Sequence, residues 1–266
     1  MHVRELACIA FLIGGGGGSS LVWAQRTGDQ ARLIFTVSLG AVGGRELWSV
    51  GPQPVQFTTP TDSLALGRRI RSNVAVGFSG SYFGGEHLGL SLDGFLVGLG
   101  FEDSCRQVFS SGSGSVAAAC DWIQGNTKPA TTVMLSLGPI FRFNSRKLFS
   151  PYARLNAGFI FSTQSSLRTI GRFPGDSGLV DLIIYSDEHD SRVEPALALG
   201  AGFTAAIAKG YQLRWEVRDN VVGVQRVTGP TPQSGLVPPH ELDYKHLISI
   251  TVGFDVVLER RRGRRY

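Results

Sequence analysis

The chain of 266 residues carries 35 glycines, only 18% charged residues and a formal net charge of +5. Mean hydropathy near zero with so few charges excludes a disordered acidic or basic chain, and the length suits one all-β domain. The basic balance is no nucleic-acid signal, because the five arginines at 260, 261, 262, 264 and 265 account for all of it.

Residues 1–24, "MHVRELACIAFLIGGGGGSSLVWA", read as a cleaved signal peptide: Arg4 at the start, an apolar middle to Ile13, then small residues before an expected cut after Ala24. The apolar run falls well short of the roughly 20 residues of a membrane helix. Cys8 leaves with the leader. Export places the remaining cysteines, Cys105 and Cys120, in an oxidising compartment, and with no CxxC or histidine partner nearby they are expected to form a disulfide. A loop of about fifteen residues closed this way is worth up to ~3 kcal/mol.

Eight segments alternate apolar and polar residues. They span 31–43 (Leu33, Phe35, Val37, Leu39), 62–70 (Leu64, Leu66), 73–83 (Val74, Val76, Phe78, Tyr82) and 131–143 (Val133, Leu135, Leu137, Phe141). The others are 150–166 (Ala153, Leu155, Ala157, Phe159, Phe161), 192–208 (Leu197, Leu199, Phe203), 211–227 (Leu213, Trp215, Val217) and 244–259 (Ile248, Ile250, Val252, Phe254, Leu258). Alternation alone fits a soluble sandwich as well as a barrel in lipid. Most segments reach the about 9–11 residues that a tilted membrane strand needs, and the links between them alternate short and long. Short links fall at 71–72, 144–149 and around Gly210, and long ones at 44–61, 84–130, 167–191 and 228–243. Tight periplasmic turns alternating with long external loops characterise an outer-membrane barrel.

The phrases "NVAVGFSGSYFGG", "LSLGPIFRF", "SPYARLNAGF" and "HLISITVGFDVVL" resemble the small eight-stranded outer-membrane barrels of Gram-negative bacteria, the OmpA, OmpX and OmpW-like group. The resemblance implies an eight-stranded antiparallel up-and-down transmembrane β-barrel over 25–259, located in the cell outer membrane. The expected partners are outer-membrane lipids, lipopolysaccharide and the barrel-assembly machinery. One departure is the tail 260–266, "RRRGRRY": such barrels commonly end on an aromatic residue closing the last strand, whereas here a basic periplasmic tail follows Leu258 and Glu259.

With the apolar faces toward lipid, the opposite faces line the lumen. Gly40, Gly77, Ser79, Ser136, Gly138, Gly158, Gly200, Gly202, Thr204, Thr251 and Gly253 then point inward, which fits either a small cavity or tight curvature. Arg69, Arg142, Arg154 and Arg214 are expected inward near the periplasmic ends, with Glu216, Arg218, Asp255 and Glu259 beside them and Arg214 opposite Asp255 or Glu259. Such a charge cluster is either a gate or an ion-paired plug. Phe143, Tyr211 and Trp215 should form an inner aromatic girdle, with Tyr82 and Phe161 toward the outside. Pro139 requires a bulge, since a closed barrel has no edge to receive it.

Two clusters could carry chemistry on the rim: Asp187, Glu188, His189 and Asp190, and more loosely His240, Glu241, Asp243 and His246. Outer-membrane proteases pair Asp with His, but from separate strands of a larger barrel, so a hydrated acidic loop holding a divalent-cation bridge to lipopolysaccharide phosphates is the expected role; no phosphate loop, nucleotide fingerprint or zinc spacing occurs. The expected protein is therefore no enzyme and has no cofactor. Its role is structural, adhesive or a narrow passage for small solutes. A membrane-embedded lipid-modifying hydrolase and a soluble periplasmic ligand-binding barrel are the alternatives.

Overall fold

The computed structural model describes residues 32–55, 62–109, 114–125, 128–144, 147–162, 166–176, 178–186, 193–229 and 237–259. The expected leader 1–24, the expected basic tail 260–266 and the cluster 187–190 lie outside these residues. The elements in chain order are β1 (Arg32–Val42), β2 (Glu46–Val55), β3 (Asp62–Arg71), β4 (Asn73–Phe83), β5 (Leu88–Phe109), α1 (Gly114–Gly125), β6 (Lys128–Arg142) and β7 (Phe149–Ser162), then β8 (Thr169–Gly175), β9 (Gly178–Tyr185), β10 (Val193–Ala208), β11 (Tyr211–Val227) and β12 (His240–Glu259).

Eight of them close a barrel in the order β1, β4, β5, β6, β7, β10, β11, β12, with β12 antiparallel to β1 (Arg32↔Glu259 to Val42↔Ser249). The outer faces of these strands carry Leu33, Phe35, Val37 and Leu39 on β1, Leu88, Leu90 and Leu92 on β5, and Ile248, Ile250, Val252 and Phe254 on β12, all exposed. Large apolar side chains exposed all round a closed sheet are the mark of a lipid-facing surface. From Ile248 to Leu258 this surface is about 25 Å tall at the usual strand rise and tilt, the height of a membrane barrel's apolar band. A soluble barrel would turn these residues inward, so that alternative is excluded.

The sequence placed one strand wrongly and missed another. The segment 62–70 is not a barrel strand, and 71–72 is not a periplasmic turn. β2 continues β1 and β3 runs into β4: Val42 faces Asn73 and Glu46 faces Arg69, so one long hairpin keeps its register through both breaks. The missing strand is β5, which lies in the segment expected to be an external loop. Its inner half pairs with β4 (Ala75↔Val97) and its outer half with β3 (Arg71↔Gly100), the extra residue near Ser72 being taken up as a bulge. The connections at the periplasmic end are therefore 84–87, the link between β6 and β7, and 209–210, the last made by Gly210 at φ 84°. Tyr82 moves with this correction to the inner end, where it faces Leu33 and Leu90. Phe141, Phe143, Phe149, Phe203, Trp215, Tyr211 and Phe254 gather at the same end in stacked and edge-on contacts, the inner girdle.

Pro139 needs no bulge. It faces Leu90 in the β5–β6 register, and the β6–β7 pairing lapses only at Gly138 and Pro139 before resuming unshifted at Ile140↔Arg154. The inward glycines serve close approach of the strands: a Cβ on Gly138 would lie 1.9 Å from the Leu155 carbonyl oxygen, and one on Gly158 1.9 Å from that of Leu135.

On the external side, β2, β3 and the outer half of β5 stand above the membrane and meet α1 and the β8–β9 hairpin. Together they form a cap with an apolar core, including Leu47, Trp48, Leu64, Phe101, Ile123 and Tyr185, that is continuous with Val42, Phe95, Val97, Met134, Ile160 and Leu247 in the upper lumen. The disulfide between Cys105 and Cys120 ties α1 to β5 inside this core.

Candidate functional site

The lumen below the cap is filled by charge. Inward parity brings Asp93 from β5, Arg154 and Tyr152 from β7, Arg214, Glu216 and Arg218 from β11 and Asp255 from β12 into one layer, each no more than 9% exposed. Arg154 is its hub. Its Nη1 donates to Asp93 Oδ1 at 2.7 Å and its Nε to Glu216 Oε1 at 3.0 Å, while Nη2 donates to the same Glu216 oxygen. Glu216 also accepts from Tyr152 Oη at 2.6 Å, and Asp93 from the Asn156 side-chain amide. Gly200 leaves room for this hub, since a Cβ there would sit 3.0 Å from Glu216 Oε1 and 3.2 Å from Arg154.

Arg214 and Asp255 form a fork, with Nε and Nη2 donating to the two carboxylate oxygens, each at 3.0 Å. The expected partner is thus Asp255. Arg218 lies over the Phe95 ring, 3.8 Å from Asp93 and 3.3 Å from Ser136 Oγ. Arg142 stacks on Phe83 at 4.2 Å, at the level of an apolar floor of Ile34, Phe83, Ile140 and Tyr152.

Six of the eight expected lumen charges, Arg142, Arg154, Arg214, Glu216, Arg218 and Asp255, are therefore inside the barrel. Arg69 is not. It sits on the outer face of β3, exposed, and pairs with Glu102 at 2.8 Å, which holds the Glu102 carboxyl below its ordinary range. The backbone of Glu259 pairs with Arg32 at the inner end.

Two lumen partners were missed, Asp93 and Tyr152, whereas Asn156 shares the inward face of Arg154 as the alternation of 150–166 implies. Asp93 shares the parity of Ser91 and Phe95 in "LSLDGF", the signal that would have revealed it once that segment was read as a strand. The neighbour of Arg69 matters more than Arg69 itself. Arg68 is buried in the cap with Nε and Nη2 bonded to Asp103, Nη1 to the Ser166 carbonyl and Nη2 also to the Arg168 carbonyl. It lies over the rings of Trp48 (5.4 Å) and Phe101 (5.5 Å), so one side chain joins β3, β5 and the approach to β8.

The second sequence cluster is dispersed along β12. On the external part of β11 and β12, Glu241 binds Arg226 and Asp243 lies 2.9 Å from Lys245 as ion pairs, and His246 Nδ1 lies within hydrogen-bond distance, 2.7 Å, of Asp219 Oδ2.

No protein-family model matches the chain, and no curated protein matches it in sequence. Its fold is found among solved structures. The outer membrane protein OprG from Pseudomonas aeruginosa superposes with a TM-score of 0.50 at 11% identity, over 87% of this chain and 98% of OprG. Neisserial surface protein A gives 0.42 at 10% identity, over 85% and 97% of the two chains. Ail, the attachment invasion locus protein of Yersinia pestis, gives 0.40 at 12% identity, over 86% and 99%. The chain has the fold of the small eight-stranded outer-membrane β-barrels.

Proposed function

We propose that this protein is a non-conducting outer-membrane barrel that works through its external cap, in a structural or adhesive role, rather than as a passage for solutes. The observation that carries this reading is the filled lumen. An ion-paired layer centred on Arg154 spans the middle, and the apolar core of the cap continues down to meet it. Side chains of an eight-stranded barrel are large enough to fill it, and a charge layer whose groups are paired and dehydrated gives ions no wet path. The lipid-facing belt and inner girdle support a setting among outer-membrane lipids and lipopolysaccharide, with insertion by the barrel-assembly machinery.

The reading is non-enzymatic: the histidines on β12 are engaged, His246 with Asp219 and His240 with the Pro238 carbonyl. The test is planar-bilayer recording of the refolded protein. No stable conductance step is expected for the parent, whereas steps should appear in an Arg154→Ala, Glu216→Ala double variant that empties the hub. Steady conductance in the parent would refute the seal.

A further inference from the structure

Above the lipid belt the outer face of the sheet turns polar on the β2–β3–β5 side. One cross-strand row there holds only small residues, Ser49 on β2, Gly67 on β3 and Ser104 on β5, paired side by side. They line a cleft of about 1130 Å³. Its rim toward the membrane is charged, with Arg45, Arg69 and Arg71 beside Glu46 and Glu102. A fourth arginine, Arg106, is exposed on the same face of β5, two residues beyond Ser104.

Among the described residues, this face therefore carries four arginines against two carboxylates. One of those carboxylates serves two arginines: Glu102 binds Arg69 at 2.8 Å and is held in its charged form by Arg71 as well. The backbone fixes the arginines in place. Ile70, which separates Arg69 from Arg71, donates its N–H to the Arg45 carbonyl at 2.7 Å, and the Gly44 N–H donates to Ser72 Oγ at 3.0 Å. Their level is that of lipid headgroups. Val74 lies three residues from Arg71 toward the membrane, and it is exposed on the belt together with Leu39 and Leu96 of the neighbouring strands.

An occupant that satisfies both zones is amphipathic and anionic, with apolar chains on the belt and its charge among the guanidinium groups. Guanidinium forks match phosphate oxygens in geometry as well as in charge, and the serine hydroxyls suit a sugar. We propose that this cleft seats the phosphorylated sugar headgroup of lipopolysaccharide, with its acyl chains along Leu39, Val74 and Leu96. The proposal rests on the outer-membrane setting above and assigns the residues that make the contact. It is separable from the seal: conductance in the parent would refute the seal and leave this site standing, while loss of the site would leave the seal.

The test is calorimetric titration of the refolded protein in zwitterionic micelles with lipid A, with the same lipid stripped of its phosphates, and with phosphatidylglycerol. The parent should bind lipid A more tightly than either of the other two. Arg45→Gln combined with Arg71→Gln should weaken lipid A binding about 30-fold, the effect of two arginines beside an anionic surface, and should leave the stripped lipid bound as in the parent. Arg172→Gln, an exposed arginine on the β8–β9 hairpin, should change nothing. Equal binding of the three lipids by the parent would overturn the proposal, as would undiminished lipid A binding in the double variant or an equal loss in Arg172→Gln. The comparison of lipids uses the parent chain, so it decides the matter even if a variant fails to fold.

Discussion

Replacing Arg154 by methionine keeps most of the side-chain volume and removes the charge that holds Asp93 and Glu216. Both carboxylates are 2% exposed, so neither gains water in exchange. Asp93 keeps the Asn156 amide and a long contact to Arg218, and Glu216 keeps the Tyr152 hydroxyl. Breaking a buried pair by removing one partner costs about 3–5 kcal/mol, and these residual partners put the expected loss near the lower end, about 3 kcal/mol. That is a change of roughly 100-fold in the folded-to-unfolded ratio. Urea unfolding of the refolded protein in lipid vesicles reads it directly, because Trp215 reports the girdle and Trp48 the cap. Arg154→Met combined with Asp93→Asn and Glu216→Gln removes the stranded charges and should recover most of the loss. A single variant within about 0.5 kcal/mol of the parent, or a triple variant no more stable than the single, would refute the account of the layer as a coupled unit.

Three further outcomes follow from the same physical reasoning. Arg68→Lys should loosen the cap by about 2 kcal/mol, since an ammonium cannot reproduce the planar fork to Asp103 together with the two carbonyl bonds; an unchanged rate of proteolysis in the cap would count against it. Tyr185 is fully buried, burial pushes its phenol up, and its hydroxyl has no partner among the described residues. The stabilising protonated form is therefore fully present below the unfolded phenol value of about 10 and lost as pH rises through the higher folded value; Tyr185→Phe should remove this alkaline decline and leave neutral-pH stability equal or better, as thermal scans from pH 8 to 12 would show. Gly138→Ala should block refolding or shift the barrel's heat-modifiable gel mobility, because the Cβ collides with the Leu155 backbone; normal refolding yield would show that the strands have room to spare.

The lipid belt was legible because a membrane strand writes its exterior in plain alternation, and parity alone placed six of the eight charges expected in the lumen there. The misplaced strand has a physical cause. Along β5 the apolar parity reverses: Leu88, Leu90, Leu92 and Leu96 face outward in the membrane, whereas Phe101 and Cys105 face inward in the cap, with Glu102 outside. Lipid favours apolar residues on the outside of a sheet and water favours them on the inside, so one continuous strand crossing the interface changes its pattern midway. Read locally, such a reversal looks like the end of a strand. From β3 to β4 the apolar residues instead keep one parity, Leu64, Leu66 and Ile70 inside the cap and Val74, Phe78 and Tyr82 toward lipid, because the bulge near Ser72 turns the chain over, and that interruption was taken for a turn between two barrel strands while β5 went unread. Arg68 and Arg69 differ by one residue, and only knowledge of which medium surrounds 62–71 decides which of them is buried.

The long reach of β5 makes it a ruler for the whole protein. Asp93, which anchors the lumen hub, and Asp103, which anchors Arg68 in the cap, stand ten residues apart on the same side of one strand. A single residue inserted between them, at Gly98 for instance, would turn one of the two aspartates to the wrong face unless a new bulge absorbed it. Changes of length in this family of external structures are thus free at the tips, where strands turn, and forbidden along the shaft. Divergence in this chain's relatives should therefore leave the spacing from Asp93 to Asp103 held at ten.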